Sequence, residues 1–345
     1  MGALGLTQGA PSKVLLDTDM VDWLDDGAAM MMLEKSREVE LVGVTTCIGN
    51  TWVEAGTASA LRQLEAIGAD RVPVCMGVNH VTREGRFEGM REELRRFGSA
   101  AGMYLGAAGA PEPASWERAY EENYGEKPRL KPSGAFAPDF ILDELRRHPG
   151  EVTIIAIGSG ANLAQALRRD PGAAALARRI IIMGGAFFVP GNVMPSAEFN
   201  SWIDPEAERA VFRAPFPEMV IVPLDATCHV RITPGRYQRM KSLVRNPVIR
   251  SLMARHWMTP FFEKGEVPRE NCVWDLVAAA IAIDPSVIAK EVLLPVDVVD
   301  QYGPCYGQTI AYTGQGPEGA RKARIVLMAD EGKVWEMIFK MCSAI

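Results

Sequence analysis

The 345-residue chain has no block of basic residues: its 37 Lys and Arg are scattered among 43 Asp and Glu, and the formal net charge is -6. A nucleic-acid polymer or an anionic membrane is therefore not expected as the main partner, because either would call for a basic patch. Cysteine is sparse. Cys47, Cys75, Cys228, Cys272, Cys305 and Cys342 show no CxxC spacing, and a chain of this size needs no disulfide staples. Reduced thiols in a cytoplasmic protein are the expectation. No apolar run reaches the roughly eighteen residues of a membrane span. Residues 1–12 carry no basic segment followed by an apolar core, so no secretory signal is read there. Met1-Gly2 lacks the Ser or Thr at position 6 that myristoylation would use; Leu6 stands there. Repeats and low-complexity tracts are absent too.

What the chain does have is an ordinary globular composition, 48% hydrophobic and 23% charged, which argues against disorder along its length. Short apolar runs alternate with amphipathic stretches. Val14 to Leu16 reads as a buried strand ending in Asp17, 25–36 as a helix, 39–47 as a strand, 51–67 as a helix and 72–76 as a strand. This βαβαβ pattern implies a parallel sheet covered on both faces. Residues 78–133, rich in Gly, Pro, Arg and Glu, break the rhythm and read as a loop-rich insertion near the active site. The alternation resumes with a helix at 136–147, a strand at 152–157, a helix at 162–169 and a strand at 179–183. A loop then runs to Ile203, followed by a helix at 205–212 and a strand at 219–224. Residues 232–284 read as mostly helical, 292–312 as β-rich, and a strand and helix close the chain. The expected architecture is a single α/β domain over 1–345: an open, mostly parallel sheet with helices on both faces and a small β-rich C-terminal segment.

Ligands of open parallel sheets bind at the carboxyl ends of the strands, and there the sequence is polar or glycine-rich. The densest stretch runs from Asp17 through Asp19, Asp22 and Asp25 to Asp26, five aspartates within ten residues. Two carboxylates about 4 Å apart repel by roughly 4 kcal/mol at an effective dielectric of 20. A converging cluster must therefore bind a cation or raise some pKa values. Oxygen-only ligands favour Ca²⁺ or Mg²⁺ over zinc, although EF-hand spacing is absent. The same residues also suit a solvated helix start with capping aspartates. A second group, Gly191-Asn192, Ala197-Glu198-Phe199-Asn200 and Asp204-Pro205, could hydrogen-bond a polyol or serve as loop and N-cap chemistry. A third, Trp274-Asp275, opens an apolar helix, with Asp275 suited to the N-cap and Trp274 to the core.

Taken together and in this order, these segments resemble the inosine-uridine-preferring nucleoside hydrolase family over nearly the whole chain. The residues that carry the resemblance are Asp17-Thr18-Asp19 with Asp25-Asp26, Thr45 to Asn50, Met183-Gly184-Gly185, Gly191-Asn192, Ala197 to Asn200 with Asp204-Pro205, and Trp274-Asp275. The resemblance implies a Rossmann-like nucleoside hydrolase fold, Ca²⁺ as cofactor, a small nucleoside as substrate, and a homodimer or homotetramer. It implies Asp19 as general base and calcium ligand, with Asp26, Asp275 and the backbone carbonyl of Ile157 as further ligands. It assigns ribose hydroxyls to Asp25, Glu198 and Asn200, the 5′-hydroxyl to Asn192, and the sugar and nucleophilic water to Asn50. Asp17 falls at a supporting acid beside the metal.

The implied reaction passes through an oxocarbenium-like sugar, as in glycoside hydrolysis. One branch of the family has a histidine immediately before the last metal-binding aspartate; here it is Trp274, which resembles the purine-preferring branch, where tryptophan stacks on the base. That branch uses a second aromatic from the loop after the third strand, for which only Phe87 is available here. Two rival readings stand beside this one. A haloacid-dehalogenase-type, Mg²⁺-dependent phosphohydrolase would use the DxD but leave Asp25-Asp26 and Glu198-Asn200 without roles. A non-catalytic nucleoside- or ribose-binding protein would not need Asp19.

Overall fold

The computed structural model describes residues 10–100 and 102–345. Most of the amino-terminal segment read for targeting signals, residues 1–9, lies outside the described residues. Strand β1 (Ser12–Thr18) is buried from Val14 onward, the pattern of a parallel strand covered on both faces. Its side chains alternate between two apolar cores. Val14 and Leu16 join Met30, Leu61, Ala279 and Ile338, while Leu15 joins Ile141, Leu163 and Phe212. Helix α1 (Asp26–Lys35), β2 (Val39–Thr46), α2 (Val53–Ile67) and β3 (Val74–Met76) complete the expected βαβαβ start. Gly68 closes α2 at φ 69°, the left-handed geometry that a C-terminal glycine supplies without strain.

Residues 78–133 depart from the loop-rich expectation, for they contain helices α3 (Arg86–Phe97) and α4 (Trp116–Tyr124). Both are short and highly charged, and each buries a narrow stripe: Met90 and Leu94 in α3, Ala119 and Tyr120 in α4. Ser115 caps α4, accepting from Arg118 N, and Tyr120 Oη donates to Glu65 Oε2 at 2.6 Å to tie α4 to α2.

The alternation then continues with α5 (Ala137–Arg147), β4 (Thr153–Ala156), α6 (Ala161–Arg169) and β5 (Arg179–Met183). Next come α7 (Phe199–Ile203), inside the stretch read as loop, α8 (Pro205–Phe212) and β6 (Met219–Val222). Helices α9 (Leu224–Thr227), α10 (Pro234–Leu243), α11 (Pro247–Arg255), α12 (Thr259–Glu263) and α13 (Asp275–Ile283) fill the helical region. Strands β7 (Ile288–Val298), β8 (Thr309–Ala311) and β9 (Arg321–Ala329) and helix α14 (Glu331–Ala344) end the chain.

The nine strands form one sheet in the order β3-β2-β1-β4-β5-β6-β9-β7-β8. It is parallel from β3 through β9, and β7 is antiparallel to both β9 and β8. The mostly parallel α/β architecture is as expected. The β-rich C-terminal segment proves to be the antiparallel edge of the same sheet. From β1 the chain winds outward to β2 and β3, then returns to place β4 on the other side of β1. The strand order reverses between β1 and β4, and a crevice opens past their carboxyl ends.

Candidate active site

The crevice is lined by the residues that follow β1 and β4. Asp17, inside β1, accepts from Thr45 Oγ1 at 2.6 Å and Asn162 Nδ2 at 2.7 Å, which ties β1 to β2 and α6. Asp19, fully buried, accepts from Asn50 N at 2.6 Å through Oδ2. A Cβ on Gly49 would collide with that carboxylate, and one on Gly158 would lie 2.8 Å from Asp19 N. Glycine after β2 and β4 is thus what lets the strand ends close around Asp19.

The link from β1 to α1 is strained. Trp23 has φ 59° and Asp25 φ 100°, unusual for residues with a side chain and a mark of function when the surroundings hold them in place. The restraints are visible: Trp23 N donates to Gln63 Oε1 at 2.9 Å, and Asp275 N donates to Asp25 Oδ1 at 2.8 Å. One carboxylate oxygen each from Asp25, Asp26 and Asp275 lies within 4.8 Å of the others. Asp19 adjoins this triad through Asp26. Asp22 does not converge with the other aspartates. It accepts from Ser59 Oγ and Tyr124 Oη at 2.6 and 2.7 Å, clipping the link to α2 and α4.

Burial dominates the electrostatics. It pushes Asp17 and Asp26 up to about 6, and Asp25 up to about 7 with help from the charge of Asp26. Burial raises Asp19 well above the carboxylate range, with Asp26 adding to it; Asp275 rises likewise from burial, then from Asp25, Asp26 and Asp19. Asp19 Oδ1, Asp26 Oδ2 and Asp17 Oδ2 are buried without any hydrogen-bond partner. Buried carboxylate oxygens without donors are costly unless a cation meets them. An oxygen-seeking divalent cation fits this donor set.

The opposite rim of the crevice comes from the segment after β5. Glu198 caps α7, accepting from Asn200 N (3.0 Å), Ser201 N (3.2 Å) and Gly185 N (3.0 Å), and burial pushes it up to about 7. Of the two readings of this segment, the structure shows the capping one in Glu198. Asn200 Nδ2 donates to the carbonyls of Ile157 and Met183 at 3.1 and 3.2 Å, leaving its own Oδ1 as an acceptor. Ile157 O keeps one lone pair beyond that bond. Asn192 Oδ1 accepts from Phe199 N at 2.9 Å, leaving its amide N–H groups free. Asp204 lies outside the cavity lining, capping α8 and accepting from Thr82.

A cavity of about 430 Å³ joins Asp25, Asn50, Ile157, Asn192, Glu198, Asn200 and Asp275 to a half-exposed aromatic wall. That wall includes Tyr104, His256, Trp257 and Trp274. Trp274 sits one residue before α13, and Asp275 is the first helical residue, one place past the expected cap. Phe87 is not in the cavity. It packs edge-on against Trp52 at 5.5 Å, in a separate apolar cluster. The aromatic from the 78–133 segment that does reach the cavity is Tyr104, a residue 45% exposed whose hydroxyl donates to Asn50 Oδ1 at 2.6 Å. No periodicity marks it in the sequence, because it lies in a turn between α3 and α4. His256 is pushed down to about 4 by burial, so it stays a neutral ring at this wall.

Comparison with known proteins places the chain among its relatives. A profile described as inosine-uridine preferring nucleoside hydrolase aligns with residues 14–336. The chain belongs to that family. It is 28% identical to the inosine-uridine preferring nucleoside hydrolase of Crithidia fasciculata over 95% of this chain and 96% of that one. It is 30% identical to the pyrimidine-specific ribonucleoside hydrolase of Escherichia coli over 86% of each. A solved plant nucleoside hydrolase superposes with TM-score 0.77 at 26% identity, covering 97% of this chain and 100% of that one. A purine-preferring ribonucleoside hydrolase from Gardnerella vaginalis shares the fold, with TM-score 0.74 at 22% identity over 96% and 98% of the two chains. This nucleoside hydrolase is therefore an enzyme that cleaves ribonucleoside N-glycosidic bonds, in a family of generally metal-dependent hydrolases. The phosphohydrolase and pure binding readings fall with that membership. Among the described residues, no helix is long and apolar enough to cross a membrane.

Proposed function

We propose that the enzyme is a Ca²⁺-dependent purine ribonucleoside hydrolase, releasing free ribose and base. The observation that carries the calcium reading is the pair of buried, partnerless oxygens on Asp19 and Asp26 beside the Asp25–Asp26–Asp275 triad. Asp19, Asp26, Asp275 and the Ile157 carbonyl would hold the cation, which when bound would polarise a water and lower its pKa. Asp17 supports them from β1 through its anchors on Thr45 and Asn162.

The remaining steps belong to the chain's own groups. Asp19 has one oxygen anchored by Asn50 N and one free, so it can take the proton of the attacking water without moving. Asn50 has Oδ1 occupied by Tyr104, which leaves its amide N–H groups for the water and the sugar. Asp25 and Glu198 are positioned for ribose hydroxyls by backbone N–H groups. Asn200 Oδ1 accepts another hydroxyl, and the Asn192 amide donates to the 5′-oxygen. The surrounding negative field stabilises the oxocarbenium-like sugar as positive charge develops. Trp274 and Tyr104 supply faces for the leaving base, and a purine fills more of that wall than a pyrimidine does.

We propose a single domain over 1–345, a reading the continuous nine-stranded sheet supports, in a cytoplasmic enzyme that assembles as a homodimer or homotetramer, as the family resemblance implies. A ribose-release screen over purine and pyrimidine nucleosides, with Ca²⁺ or with chelator, tests the reading. Release from inosine or guanosine only with Ca²⁺ is expected. Equal release with chelator would overturn the calcium assignment, and faster release from uridine would overturn the purine assignment.

A further inference from the structure

The segment that carries Trp274 brings one more ionisable group to the cavity. Residues 271–273 run antiparallel to 230–232. Ile232 N donates to Asn271 O at 2.7 Å, Val273 N donates to Val230 O at 2.9 Å, and Arg231 faces Cys272 across the bridge. Alternate residues of an extended chain share a face. Glu270, Cys272 and Trp274 accordingly all line the cavity, while Asn271 lies outside the lining and donates its amide to Ile232 O at 2.8 Å.

Glu270 differs from the other acids of the lining. Asp22, Asp25 and Glu198 each accept from a named protein donor. Among the described residues, the half-buried Glu270 carboxylate meets no hydrogen-bond donor; burial raises it above the ordinary carboxylate range, and the exposed Arg269 beside it in sequence opposes that rise. His256 does not neutralise it, for burial pushes that ring down to about 4 and its Nδ1 accepts from Met258 N at 3.4 Å. A carboxylate partly withdrawn from water, with no donor from the protein, is a polar group left for the ligand.

We propose that Glu270 is the specificity-determining residue for the base, accepting from the N1–H of a 6-oxopurine and, in guanine, from the adjacent N2–H₂ as well. The inference rests on the purine hydrolase reading above and narrows it to guanosine and inosine over adenosine. Along this segment Asp275 stands at the cation and ribose end, Trp274 supplies a face, and Glu270 follows on the same side as Trp274. A purine held by its sugar and stacked on Trp274 turns its far edge toward Glu270. A pyrimidine, one ring shorter, does not extend as far along the run.

The donor pattern of the base decides the preference. An ionised carboxylate only accepts hydrogen bonds. Guanine offers N1–H and N2–H₂ side by side, one for each carboxylate oxygen, and hypoxanthine offers N1–H. Adenine presents an N1 lone pair there instead, which repels the carboxylate and leaves it without a donor. Hydrogen bonds to charged groups are stronger than neutral ones, and a site built for a substrate N–H rejects the analogue that lacks it. Glu270 acts by binding and orienting the leaving group; no proton is transferred there.

The test compares kcat/KM of the full-length, Ca²⁺-loaded enzyme and its Glu270→Gln variant on guanosine, inosine, adenosine and uridine. The parent is expected to favour guanosine and inosine over adenosine by about ten- to a hundredfold. Glu270→Gln should lower guanosine and inosine by about tenfold or more. Adenosine should hold or rise, because an amide can turn its N–H toward adenine N1. A fold defect would lower all nucleosides together, so loss across the whole set, or a guanosine-to-adenosine ratio unchanged by the substitution, would overturn the proposal. So would a parent that cleaves adenosine as fast as guanosine. A parent fastest on uridine overturns the purine reading instead, while the response of the guanosine-to-adenosine ratio to Glu270→Gln still decides the residue. Calorimetric binding of hypoxanthine against adenine reads the same contrast without turnover: the parent should bind hypoxanthine more tightly, the variant should lose that margin, and equal binding of the two bases by the parent would overturn the proposal.

Discussion

The two walls of the cavity are built differently. The acid wall grows from the ends of β1 and β4 and the starts of α1 and α13. Asp25 and Asp275 reach the cavity, while Asp17, Asp19 and Asp26 are buried behind them, outside its lining, each with one oxygen held by a donor: Thr45 and Asn162 for Asp17, Asn50 N for Asp19 and Thr18 for Asp26. The aromatic wall comes from turns and short helices. Tyr104 and Trp257 are 45% and 52% exposed, and the Trp274 indole N–H is buried without a partner. On the proposed function, a sugar and a cation would be met by fixed geometry, and a base by more exposed faces. The acid wall should therefore be intolerant of small chemical changes, and the aromatic wall should show graded, substrate-dependent losses.

The largest expected effect lies in the acid wall. Asp19→Asn should fold normally and bind nucleoside, but an amide cannot take the water's proton. Ribose release should fall by about 10²–10⁴-fold, the usual weight of general-base catalysis. A variant within twofold of the parent, with the cation still bound, would remove Asp19 from that role.

Trp274→Ala should do less, and unevenly. Loss of one stacking face is worth about 0.5–1.5 kcal/mol beyond area burial, roughly two- to tenfold in kcat/KM for a purine nucleoside. A nitrophenyl riboside, whose leaving group needs no help, should be affected less. Equal losses on both substrates would make Trp274 a packing residue and merge the two walls into one. Tyr104→Phe should cost about two- to tenfold through the lost hydrogen bond to Asn50. Because that bond bridges the walls, the loss should be similar for purines and pyrimidines, and a purine-selective loss would reassign Tyr104 to base recognition alone.

The smallest effect tests the support behind Glu198, on the rim opposite the acid cluster. Glu208 is buried, its Oε1 has no partner, and burial pushes it up to about 8, with Glu198 adding to the shift. Its unfolded value is near 4.3, so the folded state holds the extra proton between those limits. The resulting stability is fully present below about pH 4 and is lost as pH rises through 8. Glu208→Gln keeps the neutral shape, so its Tm should decline less than the parent's between pH 6 and 9. Parallel Tm curves would show that Glu208 carries no such proton.

The same contrast explains what could be read from the sequence. The parallel sheet was legible because Val14 to Leu16, Ile154 to Ile157 and Ile180 to Met183 are unbroken apolar runs, the pattern of strands covered on both faces. The aspartate cluster after β1 stood out because five carboxylates crowd between a strand and a helix, whereas Asp275 alone reads as a helix cap and joined the cluster only through the family resemblance. Helices α3 and α4 were not, because Arg and Glu dominate them and each buries only two apolar residues, α3 burying Arg86 and Glu93 besides. Helix α7 was hidden because its start depends on Glu198 turning back onto its own backbone. Tyr104, His256 and Trp257 carry no pattern at all. They reach the cavity only because α3, α4, α11 and α12 pack where they do. Phe87 shows the opposite failure, an aromatic at a plausible position whose ring is taken by Trp52.

The central claim is that the buried oxygens of the acid wall hold a calcium ion that turnover requires. Its most direct test is a Ca²⁺ titration of chelator-stripped enzyme, with bound metal and ribose release from inosine followed in the same samples. The account predicts one Ca²⁺ per chain, with turnover rising in proportion to occupancy and both signals weakened together by Asp26→Asn. Full turnover in the stripped enzyme, or one bound Ca²⁺ that leaves turnover unchanged, would contradict it.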